Sequence, residues 1–94
     1  MPVNDFVVLQ GDTCLRTVRA TEFGRRRFCG ECGTPLTIAV DFQPETIDAT
    51  VASLDDPAPV APGFHIFYAS RIPWAEAGDA LPRHAGFRPE TRGL

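Results

Sequence analysis

The sequence predicts a small all-β domain, and three observations support this fold class. Turn-forming residues are frequent, with nine prolines and eight glycines among 94 residues, which favours short strands joined by loops. Several short runs alternate apolar or β-branched residues with polar ones at the two-residue period of a strand. Cys29 and Cys32 flank a glycine in a turn, and a metal ion bound there would help so short a chain to hold its loops.

The first predicted element is a hairpin near the N-terminus. Residues 6–9 form an apolar run, residues 11–12 a turn, and residues 13–18 a returning strand with β-branched residues at alternate positions. Residues 19–27 are polar and end in three consecutive arginines. The sequence therefore predicts a solvated connection between this hairpin and the cysteine turn.

Three further strands are predicted after the cysteine turn. Leu36, Ile38 and Val40 recur at the two-residue period, which predicts a third strand with these side chains on one face. Residues 46–51 are rich in β-branched residues and form the predicted fourth strand. Residues 65–68, which are short and aromatic, form the predicted fifth.

The whole chain, residues 1–94, reads as a single domain, with residues 85–94 as a flexible tail. Its formal net charge of −3 argues against nucleic-acid binding, which draws most of its affinity from cationic side chains. The N-terminus lacks the pattern of a secretory signal, and no apolar run reaches membrane-spanning length. Three cysteines, two of them closely spaced, fit metal-bound thiolates in a reducing cytoplasm better than a secreted disulfide framework.

The Cys-x-x-Cys spacing of Cys29 and Cys32 predicts half of a structural zinc site, because such a site takes four Cys or His ligands, usually as two pairs. The second pair is missing, since the remaining candidates are Cys14, His65 and His84. Cys14 is a candidate third ligand, or else a small buried residue of a strand. A homodimer is another solution, in which two chains donate their pairs to one ion.

Two other interpretations of the pair remain open: a redox dithiol and plain structural cysteines. A redox pair of the thioredoxin type needs its first cysteine at the start of a helix. Pro35 and the β-branched residues that follow argue against a helix at this position. Glycines directly after both cysteines suit a metal-binding turn, because they permit unusual backbone angles close to the sulfurs.

Three residues are candidates for substrate binding. His65 opens an apolar run and would face a ligand, or else end a strand with an ordinary hydrogen bond. Arg71 and Trp74 lie one turn apart and would hold a carboxylate against an aromatic face. The alternative is that Trp74 covers the edge of the core while Arg71 is solvated.

Four motifs in register resemble the glutathione-dependent formaldehyde-activating enzyme family, whose relatives include centromere protein V. They are residues 27–36 (RFCGECGTPL), 52–57 (ASLDDP), 62–67 (PGFHIF) and 72–74 (IPW). The resemblance implies an Mss4-like fold, also called a β-tent, in which small sheets surround zinc. It further implies a carbon–sulfur lyase that acts on the adduct of formaldehyde with glutathione or on a related thiol adduct.

The chain also departs from this family. Family members carry an upstream Cys-x-Cys pair that completes the structural zinc site and a Cys-x-Cys-x-x-Cys trio that holds the catalytic zinc, and neither is present here. We expect the N-terminal part of the family domain to be missing, either because the chain is a fragment or because it is a reduced member. We therefore expect no lyase activity from this chain. The alternative function is a non-catalytic, zinc-stabilised binding or scaffold module.

Overall fold

The structure, a computed structural model, describes residues 1–88 and contains a four-stranded antiparallel sheet in the order β1–β2–β3–β4. The strands are β1 (Leu15–Val18), β2 (Gly24–Cys29), β3 (Pro35–Val40) and β4 (Asp48–Ala49). The helical elements of the described residues are 3₁₀ turns at Val3–Asp5, Asp12–Cys14, Val51–Ser53 and Tyr68–Ser70. The all-β class predicted from the sequence is confirmed. In residues 1–88 we find no helix with the length and apolar character needed to cross a membrane.

Strand β2 runs through the three consecutive arginines, so the predicted solvated connection at residues 19–27 is wrong from residue 24 onward. Arg26 lies opposite Val18 of β1 and Ile38 of β3. Pairing on both sides satisfies the backbone of β2, while the long arginine side chains carry their charges to the surface. One of these charges is paired, because Arg25 Nε lies 3.3 Å from Asp41 Oδ1.

The predicted N-terminal hairpin does not form. Gly11 adopts a left-handed φ of 78° and leads into the 3₁₀ turn Asp12–Cys14, so the returning strand begins only at Leu15. That strand pairs with β2 instead of with residues 6–9, which form no strand. The segment that follows β1 has therefore replaced the segment that precedes it as its partner, a choice that local propensity does not encode.

The predicted third strand is confirmed as β3. However, Leu36 does not share a face of the sheet with Ile38 and Val40 as predicted. Arg27 and Phe28 are consecutive in β2, but their partners are Thr37 and Pro35. Leu36 is therefore the extra residue of a β-bulge and leaves the alternation that Ile38 and Val40 keep. The predicted fourth strand at residues 46–51 is shortened to β4, Asp48–Ala49.

The predicted fifth strand at residues 65–68 is wrong. His65 makes a single β-bridge with Arg83, and Phe67 has a φ of 51°, which ends the extended conformation before the 3₁₀ turn Tyr68–Ser70. Three residues of the predicted tail contact the rest of the molecule: Gly86 O accepts a 2.8 Å hydrogen bond from Phe67 N, Phe87 packs against other rings, and Arg88 Nη2 lies 3.9 Å from Asp48 Oδ1. Residues 89–94 of that tail lie outside the described residues.

The sheet has two distinct faces. One face is covered by an aromatic cluster of four rings, with centroid separations from 4.7 to 6.2 Å. The cluster consists of Phe23, Phe42, Phe67 and Phe87. The opposite face borders a groove lined by residues 6–11 together with Cys14 and Cys29. Few side chains are fully enclosed, and Ile47 is the one buried apolar residue of the described part.

Candidate metal-binding turn and the His65 loop

Cys29 and Cys32 lie in the tight turn between β2 and β3. Cys29 is the last residue of β2, and its backbone closes the turn with two bonds, from Gly33 N to Cys29 O at 2.8 Å and from Cys29 N to Thr34 O at 3.0 Å. Gly33 has a φ of 81°, a conformation that is natural for glycine. The pair is therefore held between two strands of a sheet and not at a helix start, which disfavours the redox interpretation.

The turn is built to stabilise a thiolate at Cys32. Thr34 Oγ1 lies 3.0 Å from Cys32 Sγ. A hydrogen bond from this hydroxyl lowers the pKa of the Cys32 thiol, with further contributions from the Thr34 backbone and then the Cys29 side chain. Because metals bind cysteine as thiolate, and because donors to the sulfur are typical of the surroundings of metal ligands, this environment suits a metal ligand.

Cys14 lies directly beside this turn. Its carbonyl accepts a 2.8 Å hydrogen bond from Gly30 N, and its thiol donates to Glu31 Oε1 at 3.6 Å. The sheet brings the two regions together because Leu15 is paired with Cys29. No group of three or more Cys, His, Asp or Glu side chains among residues 1–88 has the geometry to hold an ion, so the role of Cys14 as third ligand stays a prediction.

The donor set fits a structural zinc site in part and a catalytic zinc site not at all. Cys29 and Cys32 are free cysteines that would supply two of the four ligands that tetrahedral structural zinc requires. A catalytic zinc needs about three protein ligands and an open position. The described residues do not assemble that set.

Gly33→Ala is expected to lower the free energy of unfolding by about 1 kcal/mol, because alanine resists a left-handed φ. The space around Gly33 is open, so the loss is purely conformational. Urea unfolding measures it. Gly63→Ala is the matched control, since Gly63 also has open space but lies outside the left-handed region, and it should cost nothing. Equal losses in both variants would contradict this account.

A second cluster surrounds His65, in a loop that is separate from the cysteine turn. His65 Nε2 lies 3.0 Å from each carboxylate oxygen of Asp79. The sequence identifies His65 as a candidate but not Asp79, since Asp79 follows a glycine, a pattern typical of turns. The histidine and the carboxylate meet because residues 82–86 run beside residues 65–68, with a bond from His84 N to His65 O at 2.9 Å.

Arg71 and Trp74 differ in their surroundings. The Arg71 guanidinium stacks on the Tyr68 ring, 4.1 Å from its centroid, and donates to Tyr68 O at 2.9 Å. Trp74 is 80% exposed, so it does not cover the core. Arg83 also lies over Tyr68, at 5.3 Å, and binds the carbonyls of Ala77 and Asp79. Roles for His65, Arg71 and Trp74 in substrate binding stay predictions.

The Asp79 contacts give a pH-dependent contribution to stability. Hydrogen bonds from His65 and then from Leu81 N lower the pKa of Asp79. A carboxyl group whose pKa is lower in the folded state stabilises the fold above its ordinary pKa of about 3.9, and this contribution is lost as the pH falls through the lowered value.

Asp79→Asn is therefore expected to lower the urea midpoint at pH 6, and this deficit should shrink as the pH falls and wild-type Asp79 takes up its proton. Urea titrations from pH 6 to about pH 2.5 measure the difference. Asp55→Asn is the control, because within residues 1–88 the Asp55 side chain forms no hydrogen bond or ion pair. If the urea midpoint of Asp79→Asn stays below that of wild type by the same amount down to the lowest pH, the contact between His65 and Asp79 makes no pH-dependent contribution to stability.

In a comparison with protein families, the family model described as "Glutathione-dependent formaldehyde-activating enzyme" matches residues 1–70. This span contains the whole sheet, the cysteine turn and His65, and it ends before Arg71 and Trp74. Comparisons with curated proteins and with solved structures find no significant match.

Proposed function

This chain is a member of the glutathione-dependent formaldehyde-activating enzyme family, and from this premise we propose that it is a zinc-stabilised framework of that kind without lyase turnover of its own. In this proposal Cys29 and Cys32 hold the ion, which is structural. The family's reaction is carbon–sulfur bond cleavage or formation in a glutathione–formaldehyde adduct or a related thiol adduct. Such an adduct is the proposed ligand class.

The cysteine turn carries the proposal. The hydrogen bond from Thr34 lowers the pKa of the Cys32 thiol and so favours the thiolate that a cation binds. Gly33 adopts the left-handed conformation that the turn between Cys29 and Thr34 requires. When bound, a structural zinc supplies folding free energy to a domain with few enclosed side chains. The proposal requires reduced thiols, and we therefore propose a cytoplasmic setting.

The absence of turnover follows from the donors that the chain offers. It contains three cysteines and two histidines in all. His65 is engaged by Asp79, and the ring of His84 packs against Phe64 with centroids 5.6 Å apart. No three Cys, His, Asp or Glu side chains of residues 1–88 converge on one point, whereas a catalytic zinc needs about three protein ligands.

Exchange between glutathione, formaldehyde and their adduct tests this proposal. We expect the zinc-loaded chain, followed by NMR exchange spectroscopy with ¹³C-formaldehyde, to leave the exchange rate at its uncatalysed value. Cys29→Ser serves as the matched control for adduct formation on the protein's own thiols. Acceleration by wild type above both the uncatalysed rate and the Cys29→Ser rate would refute the absence of turnover.

Exposed apolar side chains favour one alternative, a non-catalytic binding or scaffold module. Leu9 is 91% exposed, Trp74 80% and Val7 68%, and large apolar side chains on a surface are typical of interaction sites. This alternative includes a homodimer with a shared ion. Sedimentation of the zinc-loaded chain distinguishes it, because a shared ion requires one zinc for two chains in a dimer.

A further inference from the structure

A cavity of about 400 Å³ lies between the sheet and the aromatic cluster. It is on the face opposite to the cysteine turn, because Arg26 and Ile38 point toward it while their neighbours Arg27 and Thr37 line the groove beside Cys29. Its volume falls at the small end of the range of about 300–1,000 Å³ typical of small-molecule sites. The cavity therefore suits a compact ligand.

The walls of the cavity are mainly apolar. The sheet contributes Ile38 and Val40, and the opposite wall consists of aromatic side chains that include Phe23, Phe67 and Phe87. Gly24 also lines the cavity, and a Cβ at this position would lie 2.8 Å from Thr21 Oγ1. Walls of this kind favour an aromatic or branched aliphatic body.

The charged groups of the lining favour an anion. The lining includes two arginines, Arg26 and Arg88, and one acidic residue, Asp48, so its formal charge is positive. Arg88 Nη2 is 3.9 Å from Asp48 Oδ1, longer than a hydrogen bond, and Arg26 forms no ion pair with the carboxylates of residues 1–88. Both arginines therefore retain donors for a ligand, and arginine is suited to binding a carboxylate with two hydrogen bonds.

We propose that this cavity binds a compact apolar carboxylate, with its ring or chain between Ile38 and the aromatic cluster and its carboxylate on Arg26 and Arg88. The site goes beyond the proposed function, because it requires neither the cysteine turn nor a metal ion. A concave space between two layers of the fold suits a small molecule. A second copy of the chain would instead need a broad complementary surface of about 800 Å² on each partner.

Calorimetric titration of the 94-residue chain with 2-naphthoate and with its neutral isostere 2-naphthamide tests the proposal. We expect saturable one-to-one binding of naphthoate with a Kd of about 1 mM or tighter. The amide should bind roughly tenfold more weakly, because it loses the charge-assisted hydrogen bonds. Arg26→Gln should weaken naphthoate by the same factor and leave the amide unchanged.

Two further variants fix the location. Arg27→Gln removes the neighbouring charge on the opposite face and should leave both affinities unchanged. Ala20→Phe places a ring at the exposed rim of the cavity and should weaken both compounds, while circular dichroism confirms that the fold is retained.

The proposal is overturned if naphthoate fails to saturate the folded chain, if acid and amide bind equally well, or if Arg27→Gln weakens naphthoate as much as Arg26→Gln does. Sedimentation of the same samples tests whether a second copy of the chain occupies the cavity instead of a small molecule. A dimer that dissociates as naphthoate binds, and that Ala20→Phe also disrupts, would identify a second copy as the natural occupant and overturn the small-ligand assignment.

Discussion

Phe87→Ala is expected to lower the free energy of unfolding by about 3 kcal/mol, the usual loss for removing a packed phenylalanine ring. The Phe87 centroid lies 4.7 Å from Phe67, 5.8 Å from Phe42 and 6.2 Å from Phe23. Phe87 thus joins the C-terminal segment to the sheet, and its removal leaves three rings without their shared neighbour. Urea unfolding followed by far-UV circular dichroism measures the loss.

Trp74→Ala is the matched control for this prediction. Trp74 is also a large aromatic residue of the C-terminal part, but it is 80% exposed. Its replacement should change the free energy of unfolding by less than about 0.5 kcal/mol. If the two variants lose the same stability, or if Phe87→Ala loses less than Trp74→Ala, then the aromatic cluster does not anchor the segment.

Cys29→Ser is expected to abolish zinc binding and to produce the largest loss of stability, provided that the proposed zinc site forms. Structural zinc contributes about 10–16 kcal/mol in zinc-finger peptides at neutral pH, so even a fraction of that exceeds the effect of any single core side chain. Elemental analysis of untagged protein purified without chelators should give about half an equivalent of zinc or more in wild type. Chelation of the wild type should reproduce the thermal melting of the variant.

Cys14→Ser tests whether Cys14 contributes to the zinc site formed by Cys29 and Cys32. The Cys14 thiol is directed to Glu31, 3.6 Å away, so we expect this variant to retain its zinc. Loss of zinc in Cys14→Ser would instead make Cys14 the third ligand. Wild-type protein that contains no zinc would refute the metal site, and the cysteine turn would then owe its stability to Gly33 and Thr34 alone.

The candidate site was partly predictable because some of its chemistry is local. The Cys29–Cys32 spacing and the two glycines indicated the turn, and the motifs around it indicated the family that residues 1–70 match. Asp79 could not be predicted, since its role depends on a histidine 14 residues earlier in the chain. The place of Arg26 in the cavity wall was equally hidden, because consecutive arginines resemble a solvated loop until both neighbouring strands are known.

The sequence by itself determined the all-β class, strand β3 and the cysteine turn, because each depends on contacts between residues a few positions apart. Only the tertiary structure decided that the arginine run lies in an inner strand, that residues 6–9 have no strand partner and that Phe67 leaves the extended conformation. These outcomes depend on competition among distant segments for the same backbone hydrogen bonds and the same apolar surface. Local propensity does not record the result of that competition.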